Sequence, residues 1–168
     1  MALARPDTGA PGPSSPSTSP KYDVFLSFRG EDVRYGFAAH LCSALDRQGI
    51  YTFRDDEHLE RGELISDQLR QAIVQSEIAI VVLTENYFSS RWCLEELVTI
   101  VDSRDDRGQI VVPVFYGIDP SDVRHQRRSI AAAFEEHEAR CSVDTIRRWR
   151  EASTKISYLR GWVAEIVG

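Results

Sequence analysis

Trp92 and Glu96 stand one helical turn apart in Ser90-Arg91-Trp92-Cys93-Leu94-Glu95-Glu96-Leu97. Residues four apart share a helix face, so an indole and a carboxylate lie side by side. The indole can stack on an aromatic base. The carboxylate can stabilise positive charge that develops on a sugar as a glycosidic bond breaks. A helix glutamate is more often a plain solvated charge, and the wheel alone does not separate the two. Leu94, Leu97, Val98 and Val101 form its buried stripe, while Glu95 shares its side with Arg91 and Asp102, a pattern that reads as solvent. Cys93 has no histidine close in sequence to activate it, so packing explains it better than nucleophilic chemistry.

A second candidate is the abrupt polar turn that follows Tyr22-Asp23-Val24-Phe25-Leu26-Ser27-Phe28. Gly30 lets the backbone approach a ligand, and Arg29 and Arg34 can pair with phosphates. A turn glycine flanked by solvated arginines is the plain alternative. Glu31 and Asp32 oppose an anion at the helix start that comes next. No Gly-x-Gly-x-x-Gly fingerprint is present, which argues against a hydride-transferring dinucleotide enzyme. The charged loop from Arg54 to Gly62 is acidic, but its spacing demands no metal ion and none is expected. Arg124, His125, Arg127 and Arg128 form the dense basic run, and most such runs are solvated faces.

These groups must be positioned by a scaffold, and the chain of 168 residues is long enough for one domain with a substantial core. Its net charge of −6 argues against general binding to nucleic acid or anionic membranes. The longest apolar runs, Ile78–Leu83 and Ile110–Phe115, are far too short to span a bilayer, and no apolar stretch near Met1 would serve as a secretory signal. Cys42, Cys93 and Cys141 form no Cys-x-x-Cys pair and read as reduced thiols of a cytoplasmic or nuclear protein. Residues 1–20 hold five of the seven prolines and read as a disordered Pro/Ser-rich tail, leaving residues 21–168 as the folded domain.

Apolar runs and helical patterns then alternate. Strands are expected at Val24–Phe28, Ile50–Phe53, Ile78–Leu83 and Ile110–Tyr116, with a short fifth at Gly161-Trp162-Val163. A first helix, capped by Asp32, carries Phe37, Leu41, Ala44 and Leu45 and stops at Gly49; a second carries Leu64, Ile65, Leu69, Ala72 and Ile73. Others are expected over Ser90–Ser103, 129–140 and 143–160. Ile78–Leu83 is apolar on both faces, the pattern of a central strand with helices on both sides. The alternation implies a parallel sheet with right-handed crossovers. In such a sheet ligands bind beyond the carboxyl ends of the strands. Loops 28–34, 53–62, 84–91 and 116–125 all gather at that edge.

Tyr22–Asp32 and Ser90–Leu97, together with Thr52-Phe53-Arg54-Asp55-Asp56 and Phe115–Arg124, closely resemble the TIR domain in its plant form, in the same order, over about residues 21–162. The resemblance implies a flavodoxin-like three-layer α/β sandwich with a five-stranded parallel sheet in the order 2-1-3-4-5. Glu96 matches the second acidic position of the family's Cys-Leu-x-Glu-Leu signature. In TIR enzymes that position is the catalytic glutamate for cleaving the nicotinamide–ribose bond of NAD⁺, giving ADP-ribose or a variant cyclic isomer. NAD⁺ is then a substrate, and no cofactor is implied. Substrate contacts are implied at Arg29, Gly30, Arg34, Phe53, Trp92 and Cys93. Self-association is implied at His40, Arg54, Asp55, Asp56, Arg61 and Gly62, with other TIR proteins as further partners and plant immune and cell-death signalling as the setting. Ala39 stands where plant relatives often carry Ser before this His, which implies a weaker contact there. The family's last helix would be reduced to Val163–Val167 or missing. No ATPase or leucine-rich-repeat segment follows, so a TIR-only protein is expected. The rivals are a non-catalytic TIR adaptor, a TIR acting on nucleic acid, and a phospho-acceptor receiver using Asp55 or Asp56. The receiver lacks its lysine, since only Lys21 and Lys155 occur.

Overall fold

A computed structural model describes residues 22–30, 33, 36–54 and 65–165. The tail, the helix cap expected at Asp32, Arg34, Asp55, Asp56, Arg61 and Gly62 lie outside the described residues. Five strands, β1 (Tyr22–Ser27), β2 (Thr52–Arg54), β3 (Ser76–Leu83), β4 (Ile110–Tyr116) and β5 (Trp162–Ala164), form one sheet. All its pairings are parallel, and the order is β2-β1-β3-β4-β5, as expected. The helices are α1 (Phe37–Arg47), α2 (Asp67–Val74), α3 (Glu85–Ser89), α4 (Arg91–Arg107), α5 (Pro120–His125), α6 (Ser129–Glu138) and α7 (Val143–Ser157).

Alternation along each strand sorts its side chains onto two faces. One face carries Phe25, Ala79, Val81 and Leu83 into a large core with Leu69 and Ile73 of α2, Leu94, Leu97 and Ile100 of α4, and Phe134 and Trp149 of α6 and α7. The other carries Leu26, Phe28, Val82 and Val114 against Ala38, Phe37 and Leu41 of α1. The molecule is therefore a three-layer sandwich with unequal outer layers. β3 sits between β1 and β4 with Ala79, Val81, Val82 and Leu83 wholly buried, which accounts for its unbroken run of apolar residues.

Side-chain caps start five of these helices. Ser66, Thr84, Ser90 and Ser142 each accept a hydrogen bond from a backbone N–H three residues on, and Asp119 does so two residues on, just before Pro120. α4 runs past the expected end at Ser103 to Arg107 and stops at Gly108. Two expected loops contain short helices, α3 and α5. Ala44, expected on the buried face of the first helix, is exposed. Val163 and Ala164 belong to β5, so the chain continues there as strand and not as helix.

The chain leaves β1 on one face through α1 and leaves β3 on the other through α3 and α4. The two neighbouring strands β1 and β3 thus flank a switch point in the topology, and such sheets bind ligands beyond the carboxyl ends of the strands at that point.

Candidate functional site

Ser27 closes β1 on the larger core's face and is buried. Beyond β3, the Thr84 hydroxyl accepts from the Tyr87 N–H at 3.2 Å and starts α3, whose first turn sends Tyr87 and Phe88 inward with no exposed surface. Ser90 then accepts from the Cys93 N–H at 3.1 Å and starts α4, which delivers Glu96 to the same place. The Ser27 hydroxyl donates to Glu96 Oε1 at 3.0 Å and lies 2.9 Å from the Tyr87 hydroxyl. Three separate elements thus converge on one carboxylate. Its relative exposure is 0%, a burial that glutamate almost never shows unless partnered. A hydrogen bond to an ionised acceptor is worth about 1.5–3 kcal/mol. Burial first, then neighbouring Cys93 and Glu96, push the Tyr87 phenol well above its ordinary value, opposed in part by the Ser27 bond. Tyr87 therefore stays protonated throughout the neutral range.

The polar turn after β1 borders this cluster. Gly30 has φ +99°, a conformation that favours glycine, and a Cβ there would meet only Asn86 Nδ2 at 3.9 Å. The residue is required by its backbone angle more than by crowding. The Cys93 thiol lies 3.9 Å from the Phe28 carbonyl, tying the start of α4 to the same turn.

Residues 21–167 match the model of the TIR domain family. The chain belongs to that family. Among relatives, the TIR domain is 51% identical over 158 residues to the disease resistance protein RPV1 of Vitis rotundifolia, covering 94% of this chain and 11% of that protein. It is 51% identical over 150 residues to the TMV resistance protein N of Nicotiana glutinosa, covering 88% and 13%. The chain therefore spans little more than a tenth of the length of these relatives. Among solved structures, the TIR domains of the activated Roq1 resistosome, a structure described as directly recognising the pathogen effector XopQ, superpose with a TM-score of 0.76 at 51% identity, over 84% of this chain and 87% of that one.

Within this TIR domain the expected site residues occupy different surroundings. Arg29 and Gly30 are half-buried at the carboxyl end of β1. Trp92 is half-buried on α4 and packs against the larger core. Cys93 is fully buried. Phe53 stacks on Phe25 at 5.4 Å between ring centroids and meets Tyr22 edge-on at 5.1 Å, so its ring packs on two aromatic rings of β1. Arg54, expected at a self-association surface, has its guanidinium 5.5 Å from the centroid of Phe28. His40 is exposed on α1, away from the Glu96 cluster. In the basic run, Arg124 bonds the Ser157 hydroxyl and carbonyl at 3.2 and 3.1 Å and lies 4.1 Å over the Tyr158 ring, while Arg128 pairs with Asp122 at 3.5 Å. That run ties α5 to the end of α7. Among the described residues no group of three or more His, Cys, Asp or Glu is arranged to hold a metal ion, and no helix is long and apolar enough to cross a membrane.

Glu95 corrects the helical wheel. It accepts from the Trp149 indole N–H at 2.8 Å and has Arg148 at 3.9 Å, so it faces α7 and not plain solvent. The Trp149 ring in turn meets His137 at 5.1 Å, and His137 Nε2 bonds the Phe88 carbonyl at 2.8 Å. This second chain of contacts holds α3, and with it Tyr87, from behind. Ser27 and Tyr87 carried weak signals in the sequence: a lone hydroxyl within an apolar strand, and a tyrosine inside an assumed loop.

Proposed function

We propose that this TIR domain cleaves the nicotinamide–ribose bond of NAD⁺. The single observation that supports this most is the Glu96 carboxylate, set at the switch point on the same helix as Trp92 and bonded to Ser27, two residues before the Arg29-Gly30 turn. The bond breaks with its electron pair leaving on nicotinamide, which is already a cationic group and needs no strong acid. Positive charge then develops on the ribose, and an ionised carboxylate in a water-poor site stabilises it. Attack by water gives ADP-ribose; attack by a hydroxyl of the same molecule gives a variant cyclic ADP-ribose. Arg29 and Arg34 would face the phosphates, Trp92 would stack on a ring, and Gly30, Phe53 and Cys93 would line the approach. NAD⁺ is the substrate, and no cofactor takes part.

Glu96 has no exposed surface, so the segments around it must part before a ribose can reach it. Contact between copies is the proposed cause, through α1 at His40 and the stretch that includes Arg54, Asp55, Asp56, Arg61 and Gly62. Membership of the Roq1 TIR domains in an activated assembly supports this, as the disease resistance relatives support a role in plant immune signalling; cell-death signalling and a cytoplasmic and nuclear location are part of the proposal. Other TIR proteins are the further partners proposed. The same burial of Glu96 favours a second reading, a non-catalytic adaptor that works by TIR–TIR contacts alone. Incubating concentrated protein with NAD⁺ and resolving the products by mass separates the two. Release of nicotinamide with ADP-ribose or its cyclic isomer is expected; unchanged NAD⁺ under conditions of demonstrated self-association leaves the adaptor.

A further inference from the structure

We propose that Tyr87 and Ser27 form a two-hydroxyl relay that positions the Glu96 carboxylate, a role that rests on the NAD⁺-cleaving activity proposed above. The direction of the relay follows from proton counting. The proposed chemistry requires Glu96 ionised, and an ionised carboxylate only accepts, so the Ser27 hydroxyl spends its one proton on Glu96 Oε1 at 3.0 Å. Its oxygen is then the acceptor for the Tyr87 hydroxyl at 2.9 Å. Tyr87 donates to Ser27, and Ser27 donates to Glu96. The phenol is suited to the donor role because its surroundings keep it protonated.

The three side chains have relative exposures of 1%, 0% and 0% for Ser27, Tyr87 and Glu96, so no bulk water competes for these bonds. They also come from different elements. Ser27 ends β1, Tyr87 sits in α3 behind its Thr84 cap, and Glu96 lies on α4. A glutamate side chain has three rotatable bonds, and backbone placement alone does not choose one rotamer. Fixing Oε1 on Ser27 at the end of β1 does so, two residues before the Arg29-Gly30 turn. Polarisation along the chain strengthens the bond that Glu96 receives. Tyr87 and Ser27 are thus positioning residues that act through Glu96. The plain alternative is that two hydroxyls merely satisfy a buried acid, in which case they would affect stability and not turnover.

The test is a double-mutant cycle with two readouts on the full chain. Tyr87→Phe keeps the ring and removes one oxygen. It should lower kcat about tenfold while leaving KM within about twofold, because a lost orienting bond acts on the transition state and not on ground-state binding. Ser27→Ala should lower kcat further. Adding Tyr87→Phe to Ser27→Ala should cost nothing more, since the relay is already cut. Thermal melts confirm that each variant is folded. The second readout needs no activity: the carbon-13 resonance of the Glu96 carboxyl, identified by its absence in Glu96→Gln. That resonance should shift in Tyr87→Phe and should not shift further when Tyr87→Phe is added to Ser27→Ala. A wild-type kcat in Tyr87→Phe, losses that multiply in the double variant, or an unmoved carboxyl resonance would each overturn the relay. If the wild-type protein cleaves no NAD⁺ at all, the proposed activity falls by itself and the carboxyl resonance alone decides the relay.

Discussion

Two adjacent glutamates on α4 have opposite partners. Glu96 turns toward β1 and takes the Ser27 hydroxyl, whereas Glu95 turns toward α7 and takes the Trp149 indole. The family signature singled out Glu96, but nothing within the helix could show what Glu95 does. A wheel compares a residue only with its own helix, and Trp149 arrives 54 residues later. Glu95→Ala should therefore lower stability by about 1–3 kcal/mol, because a buried indole N–H is left without its acceptor. Equilibrium urea unfolding measures this, and an unchanged midpoint would show that the bond contributes nothing. Tyr87 predicts a pH effect. Its folded-state value is raised above that of the unfolded chain, so its contribution is fully present below about pH 10 and is lost as pH rises further. Above about pH 10 the unfolded phenol ionises while the folded one does not, and folding weakens. Tyr87→Phe removes that titration, so its unfolding free energy should fall less steeply between about pH 10 and 11.5 than that of the wild type. Parallel curves would contradict the burial of an un-ionised phenol.

The strands were the most legible elements, because continuous β-branched runs such as Ile78–Leu83 have few other uses. Their edges moved by a residue or two: β1 begins at Tyr22, and β2 is the short Thr52–Arg54. α3 was hidden in a loop because five residues are too few to show a helical period. α4 outran its expected end at Ser103 because the charged stretch Arg104–Arg107 lacks apolar periodicity, though Ser90 and Gly108 bracket the helix as cap and stop. The edge at the carboxyl ends of the strands was legible from topology, since the strand–helix alternation puts the loops that follow strands there. The Ser27–Tyr87–Glu96 contact was not, because it joins residues 60 and 69 positions apart. Gly161, expected as the first residue of the fifth strand, stands just before it and has a steric role. A Cβ there would lie 2.0 Å from the Pro113 carbonyl oxygen and 2.7 Å from its ring. Gly161→Ala should therefore push β5 away from β4. Amide exchange at Gly117, whose N–H donates to the Ala164 carbonyl at 2.8 Å, should accelerate at least about tenfold. Unchanged protection would mean that β5 absorbs the methyl group without moving.

A fully buried Glu96 in a single copy and a proposed reaction at Glu96 are compatible only if the site opens, and association is the proposed cause. Activity per mole of protein should then rise with protein concentration and with crowding agents. A dilution series followed by light scattering checks this; constant specific activity down to a demonstrated monomer would show that one copy suffices. The large core, spread over α2, α4, α6 and α7, holds α4 whatever happens at the strand ends, so substitutions at residue 96 should remain folded. The most direct measurement is nicotinamide release from NAD⁺ by wild type, Glu96→Gln and Glu95→Ala, with products resolved by mass at equal states of association. Glu96→Gln should lose at least about 100-fold in rate, since an amide cannot stabilise the ribose cation as a carboxylate does. Glu95→Ala should stay within a few-fold of wild type once folded. Wild-type release by Glu96→Gln, or an equal loss from Glu95→Ala, would contradict the assignment of Glu96 as the catalytic carboxylate.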